Sequence, residues 1–131
     1  MNNESQTFKS LNISVLIISD TRTVSSDKSG KILEERIKRS GHSLVCKLFV
    51  KDDPILIKEK ILKILNDKCT HVIISSGGTG LTGRDSTPEV LKEIITKEIP
   101  GFGEIFRHLS FKKTGTSSLQ SRAIAGLINK T

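Results

Sequence analysis

The sequence predicts an α/β fold with a mainly parallel sheet, and three observations support this prediction. Short, continuous apolar runs alternate along the chain with segments of helical periodicity. The first run is almost continuously apolar, which is typical of a parallel strand covered on both faces. Polar residues follow each run, where a strand would enter a loop. With 131 residues, the chain is long enough for one domain with a single core.

Three strands are predicted, at residues 12–19, 43–50 and 72–74. The first reads N-I-S-V-L-I-I-S and is too short for a typical core helix. The third is β-branched throughout and ends at Ser75 and Ser76. Because helical segments separate the strands, right-handed crossovers would make them parallel.

The two helices between these strands have recognisable end signals. The first is predicted at residues 31–40 and is terminated by Gly41, as glycine commonly does past a helix end. The second is predicted at residues 54–66, where Asp53 is placed to cap it and Pro54 suits the first helical position.

The second half of the chain is predicted to be largely helical. A helix follows Pro88, and a short helix is expected at residues 101–110. Residues 111–116 are ambiguous and could form a strand fragment. Residues 117–129 read as a helix of small residues.

Composition narrows the class of protein. Residues 1–11 are polar and are predicted to be a flexible N-terminus before a domain of residues 12–131. No secretory signal or membrane-spanning run is found, so a cytoplasmic protein is expected.

Cys46 and Cys69 lie far apart and are predicted to be reduced, buried thiols. The net charge of +7 comes with few aromatic residues and no Trp or Tyr, which argues against a nucleic-acid-binding surface.

The glycine-rich segment after the third strand is the strongest functional signal. Backbone N–H groups and a threonine hydroxyl in such a loop can bind phosphate oxygens, although a plain wide turn would use the same glycines. The flanking serines and the charged pair Arg84 and Asp85 favour a binding site. The predicted phosphate-binding residues of this segment are Ser75, Ser76, Gly77, Gly78, Thr79 and Gly80.

Carboxylates follow each predicted strand. Asp20, Asp52 and Asp85 should share one edge of a parallel sheet, because the carboxyl ends of parallel strands meet there. Two of them could share Mg²⁺ with a nucleotide triphosphate. Alternatively, Asp85 could support the cap of the next helix or pair with Arg84.

The remaining candidates are weaker. Ser121 and Arg122 could reach a phosphate or lie on a solvated helix face. The three histidines have no metal-ligand spacing, so zinc is not expected.

Several motifs together resemble one known family. The segment S-S-G-G-T-G-L-T-G-R-D-S-T-P-E is similar to the signature of the MoaB and MogA molybdenum cofactor biosynthesis proteins and the gephyrin G domain. The segments I-S-V-L-I-I-S-D, D-K-S-G, V-K-D-D, P-G-F-G-E-I-F-R and the final G-T-S-S-L-Q-S-R-A-I-A-G-L-I-N-K-T agree with it. The last two resemble MoaB more than MogA.

The resemblance implies a three-layer α/β/α, Rossmann-like domain in a homo-oligomer, either a trimer or a hexamer. It also implies binding of molybdopterin and its adenylylation with ATP and Mg²⁺. The alternative is a non-catalytic pterin-binding or accessory protein of the same pathway. By resemblance, Asp52 and Asp85 are catalytic and metal-associated, the glycine loop binds nucleotide and pterin phosphates, and Ser121 and Arg122 lie near the substrate.

One departure from the family concerns the end of the chain. Family members continue with an apolar strand and a Pro-Gly-Ser turn that lines the pterin site, whereas this sequence ends at Thr131. The resemblance therefore predicts a domain that is incomplete at its C-terminus.

Overall fold

The computed structural model describes residues 6–21 and 26–129. Residues 1–5 of the predicted flexible N-terminus and the chain end at Lys130 and Thr131 lie outside the described residues. The elements, in chain order, are β1 (Asn12–Ile18), α1 (Lys28–Arg39), β2 (Ser43–Val50), α2 (Pro54–Asn66), β3 (Val72–Ser76), α3 (Thr87–Ile94), β4 (Lys97–Glu98), α4 (Pro100–Thr114), a 3₁₀ helix (Gly115–Gln120) and β5 (Gly126–Leu127).

The main sheet has three parallel strands in the order β2-β1-β3. Near the start of the central strand β1, Ile13 is paired with Leu44 of β2 on one side and with Val72 of β3 on the other. The first strand lies between its two successors, and because all three strands are parallel, their carboxyl ends lie at one edge of the sheet. The prediction of a parallel α/β sheet is confirmed.

Helices cover both faces of this sheet. On one face, the β1 side chains Ile13, Val15 and Ile17 pack with Ile37 of α1. On the other face, the alternate β1 residues Leu16 and Ile18 pack with residues of α2 and α3, namely Ile57, Ile61 and Val90. Both faces of β1 are buried, and its one buried polar side chain, Ser14, is hydrogen-bonded to the hydroxyl of Thr70 at 2.8 Å. The three-layer α/β/α arrangement is confirmed.

The helix ends follow the predicted capping chemistry, with one shift. Asp53 accepts hydrogen bonds from the N–H groups of Ile55 and Leu56 at 2.9 and 3.0 Å, and Pro54 begins α2 as predicted. In α1, however, the side chain of Asp27 accepts a hydrogen bond from the Gly30 N–H at 2.8 Å. This cap lets the helix begin at Lys28, three residues before the predicted start.

The predictions for the last part of the described chain are wrong. Residues 111–116, read as a possible strand fragment, belong to α4 and the 3₁₀ helix. The helix predicted at residues 117–129 is replaced by the end of the 3₁₀ helix, an extended segment and β5, which pairs antiparallel with β4. The reason is long-range hydrogen bonding: the N–H groups of Thr96 and Ile99 donate to Leu127 and Ala125 carbonyls.

The prediction of buried cysteines is also wrong. Cys69 is exposed in the segment before β3, and Cys46 is half-buried on the outer strand β2. Neither forms a disulfide, as predicted. Within the described part of the chain, no helix is long and apolar enough to cross a membrane.

Candidate functional site

A cleft of about 480 Å³ lies at the carboxyl ends of the three parallel strands. It is formed where the segments after β1, β2 and β3 converge, and its position follows from the parallel direction of these strands. The residues that line it are Ile18, Ser19, Asp20, Thr21, Ser29, Asp52, Ser76, Gly77, Gly78 and Asp85. The predicted convergence of Asp20, Asp52 and Asp85 at one edge of the sheet is therefore observed.

The glycine loop passes close to the rest of the protein at two points. Gly77 has a φ of +109°, and a Cβ atom there would lie 2.0 Å from the carbonyl oxygen of Ile18. Gly78 has a φ of +67°, and its Cβ would lie 2.3 Å from Oγ1 of Thr87. Both positions require glycine for backbone conformation and for space. The loop is consequently fitted into the gap between β1 and α3.

Thr87, at the start of α3, fixes this loop and was missed by sequence reasoning. Its side chain is fully buried, and its hydroxyl donates to the Gly77 carbonyl at 2.8 Å. Its N–H donates to the Gly78 carbonyl at 3.1 Å. The T-P pair at the start of a helix was the available signal, since a threonine there has a hydroxyl close to the preceding loop.

Asp52 connects the β2 edge of the cleft to the start of α3. One of its oxygens, Oδ1, accepts hydrogen bonds from the hydroxyl of Ser86 at 2.8 Å and from its N–H at 3.3 Å. The other oxygen, Oδ2, faces Gly78 and would lie 3.0 Å from a Cβ atom added to that glycine. The Asp52 N–H in turn donates to Oδ1 of Asp20 at 3.2 Å. Asp52 thus presents one carboxylate oxygen beside the glycine loop.

Asp85 is held as a carboxylate within its own loop. It accepts hydrogen bonds from the hydroxyl of Thr82 at 2.7 Å and from its N–H at 2.9 Å. These bonds hold the pKa of Asp85 below its usual value. The bond from the Thr82 hydroxyl has the largest effect, and the charge of Arg122 makes a smaller contribution. Of the alternatives left open for Asp85, pairing with Arg84 is not observed, because the Arg84 guanidinium binds Asp20 at 2.7 Å.

The carboxylates suit a metal that is shared with a ligand better than a metal held by protein alone. Among residues 6–21 and 26–129, no group of three His, Cys, Asp or Glu side chains is placed to hold a metal ion. Mg²⁺ commonly uses one or two carboxylates together with substrate phosphates. Asp52 and Asp85 line the same cleft and fit that donor set.

Arg122 does not lie on a helix face, because the helix predicted around it is absent. Its Nε donates to the Gly80 carbonyl at 2.7 Å, its Nη2 donates to the Asp85 carbonyl at 2.9 Å, and its Nη1 binds Glu89. The preceding residue, Ser121, accepts a hydrogen bond from Arg107 through its carbonyl. Arg122 therefore contacts the predicted phosphate loop directly.

The remaining predicted residues lie on β3 and in the loop. Ser75 and Ser76 are the last residues of β3, paired with Leu16 and Ile17, and Ser76 lines the cleft. The Thr79 carbonyl accepts the N–H of Arg122 at 3.0 Å.

Known proteins share both the sequence and the fold. A family model described as a probable molybdopterin-binding domain matches residues 14–130. Molybdenum cofactor biosynthesis protein B of Escherichia coli K12 is 40% identical over 131 residues, covering 100% of this chain and 77% of that protein.

Solved structures agree with this match. A crystal structure of molybdenum cofactor biosynthesis protein B is 41% identical with a TM-score of 0.88, over 94% of this chain and 77% of that one. The tungsten cofactor synthesizing protein MoaB of Pyrococcus furiosus is 31% identical with a TM-score of 0.79, over 94% and 76% of the two chains.

Proposed function

This chain belongs to the MoaB family of molybdenum cofactor biosynthesis proteins, and on that premise we propose that it adenylylates molybdopterin with Mg-ATP. In this reaction a terminal phosphate oxygen of molybdopterin forms a bond to the α-phosphorus of ATP. The bond between that phosphorus and the oxygen bridging to the β-phosphate breaks, and pyrophosphate leaves. The activity is that of a nucleotidyltransferase.

The observation that supports this proposal is the juxtaposition of a glycine loop and two carboxylates in one cleft. Gly77, Gly78, Asp52 and Asp85 all line it. Backbone N–H groups of the loop would bind phosphate oxygens, and the Thr79 hydroxyl and the side chains of Ser75, Ser76 and Ser121 are further candidates for the phosphates and the pterin.

Mg²⁺ would be held by Asp52 and Asp85 and would neutralise the phosphate charge that develops during transfer. Hydrogen bonds from neighbouring residues suit these two carboxylates to that role. The Thr82 bonds keep Asp85 ionised, and the Ser86 bonds orient Asp52 with its second oxygen beside the loop.

The direct test is to incubate the protein with ATP, Mg²⁺ and molybdopterin and to measure adenylylated pterin by mass spectrometry. We expect product from the native sequence and a loss of at least about 100-fold in Asp52→Asn and Asp85→Asn. Asp67→Asn, which changes a carboxylate at the end of α2 far from the cleft, is the matched control. Absence of product with the native sequence would refute the adenylylation proposal.

A second candidate function is pterin binding without turnover. It is favoured by the hydrogen bonds that both carboxylates already make within the chain, to Ser86 and to Thr82, which give each of them a structural role without a metal. Retention of molybdopterin by the native protein and by both Asn variants, with no adenylylated product from any of them, would identify this alternative.

We also propose that the protein is a homo-oligomer, a trimer or a hexamer. Helix α4 supports this, because Phe102, Ile105 and Phe106 are exposed on it. Apolar side chains grouped in this way are more often covered by another surface than left in water. Sedimentation equilibrium would measure the number of subunits, and a monomer at micromolar concentration would contradict the proposal.

A further inference from the structure

The guanidinium of Arg122 is used by the protein itself. It reaches the Gly80 carbonyl, the Asp85 carbonyl and the Glu89 carboxylate, and its side chain is only 30% exposed. These three partners lie 33 to 42 residues away along the chain. The contact therefore joins the extended segment before β5 to both ends of the loop that follows the glycines.

The backbone around Arg122 is also fixed. Its N–H donates to the Thr79 carbonyl at 3.0 Å. On either side, the carbonyls of Ser121 and Ala123 accept hydrogen bonds from Nη1 of Arg107 at 3.2 and 3.3 Å. Arg107 comes from α4, where Gly103 leaves room for its side chain. The arginine that contacts the loop is thus itself anchored to a helix.

The loop is fixed at its start and exposed further along. Gly77 and Gly78 are tied to Thr87, but the following residues Leu81, Thr82 and Gly83 are exposed. Between these two regions, the backbone carbonyls of Thr79 and Gly80 are bound by Arg122. If the loop is already ordered before a ligand arrives, no binding free energy is lost in ordering it, and the ligand binds more tightly.

We propose that Arg122 is a positioning residue that orders the loop from Thr79 to Asp85, with Glu89 orienting its guanidinium, and that it does not bind the substrate phosphates. The proposal rests on the proposed function insofar as this loop is the phosphate site. Arginine suits the task because its planar fork presents several N–H groups in fixed directions, whereas a lysine ammonium is a single point of contact.

Amide hydrogen exchange of the ligand-free protein tests the ordering directly. We expect residues 79–85 to exchange faster in Arg122→Gln, in Glu89→Gln and in Arg122→Lys, because each removes one or more contacts of the guanidinium fork or the charge that orients it. The matched control is Arg39→Gln, which also breaks an Arg–Glu ion pair but one on the exposed face of α1. Unchanged exchange in Arg122→Lys and Glu89→Gln would overturn the proposal, and both variants remain informative if Arg122→Gln does not fold.

Calorimetric binding of Mg-ATP and of molybdopterin separates positioning from direct contact. If Arg122 positions the loop, Glu89→Gln should weaken binding, Arg122→Gln should weaken it by about tenfold or more, and the double variant should be no weaker than the latter. If Arg122 instead binds phosphate, removing Glu89 would leave the guanidinium available and binding would be unchanged or tighter, which would overturn the proposal. If the native protein binds neither ligand, the proposed function fails, while the exchange result still decides whether Arg122 orders the loop.

Discussion

The carboxylate of Asp52 and the hydroxyl of Ser86 are joined by a 2.8 Å hydrogen bond, and this bond connects the end of β2 to the first turn of α3. Ser86 is the N-cap residue of α3, yet its hydroxyl makes no hydrogen bond to the helix itself. It is used for Asp52 instead. The Ser86 hydroxyl therefore does not cap α3, and it fixes the orientation of the Asp52 carboxylate.

Ser86→Ala should therefore destabilise the protein by about 1.5 kcal/mol, because a charge-assisted hydrogen bond is lost and Asp52 keeps only the weaker bond from the N–H. Chemical denaturation would measure this change. Ser117→Ala is the control, since the Ser117 hydroxyl is exposed and bonds only to a neighbouring carbonyl in the described structure. Equal stabilities of the two variants would contradict the importance of the Asp52 bond.

Thr87→Val should cost about 1 to 3 kcal/mol, although valine has nearly the same shape. The reason is that the buried hydroxyl donates to the Gly77 carbonyl, which would be left without this donor. Thr87→Ser retains the hydroxyl and should recover part of the loss. The free energy of unfolding of the three proteins decides the matter, and a valine variant as stable as the native protein would disprove the role of the hydroxyl.

Gly77→Ala should be more damaging than Gly83→Ala in the same loop. A methyl group on Gly77 would lie 2.0 Å from a backbone oxygen that cannot move away freely, and the φ of +109° is unfavourable for alanine. Such strain costs about 1 to 3 kcal/mol before the steric overlap is counted. Gly83 has open space around it. Thermal unfolding of the two variants should give a clearly lower midpoint for Gly77→Ala, and similar midpoints would show that the loop can relax.

Local signals in the sequence were sufficient for the elements that position the site. The bounds of β2 and α2 agree with the predicted residues, because an apolar run and an Asp-Pro helix start are each read from neighbouring residues. The meeting of Asp20, Asp52 and Asp85 at one cleft was predictable as well, since a parallel sheet brings its strand ends together.

Contacts between distant residues could not be predicted in this way. The small residues after Gln120 are compatible with a helix, but pairing of β5 with β4 and the bonds from Arg107 hold them extended. The ion pair of Arg84 with Asp20 depends on the path of the loop that follows the glycines. Sequence spacing alone contains neither piece of information.

The stability contributed by Glu34 should depend on pH. The pKa of Glu34 is held below its usual value, first by its bond to Lys38 and then by its bond to Lys47. Because the folded state has the lower pKa, the stabilisation is fully present above the pKa of an unfolded glutamate. It is lost as the pH falls through the folded value.

Glu34→Gln should consequently be less stable than the native protein at neutral pH, and the difference should shrink on acidification below the usual glutamate pKa of about 4.3. Urea unfolding at a series of pH values would measure this convergence. If Lys38 causes this effect, Lys38→Met should reduce the pH dependence of stability when it is introduced into the native sequence. The same substitution should leave the pH dependence of the Glu34→Gln variant unaltered. A stability difference that stays constant across the acidic range would show that Glu34 acts through packing and not through its charge.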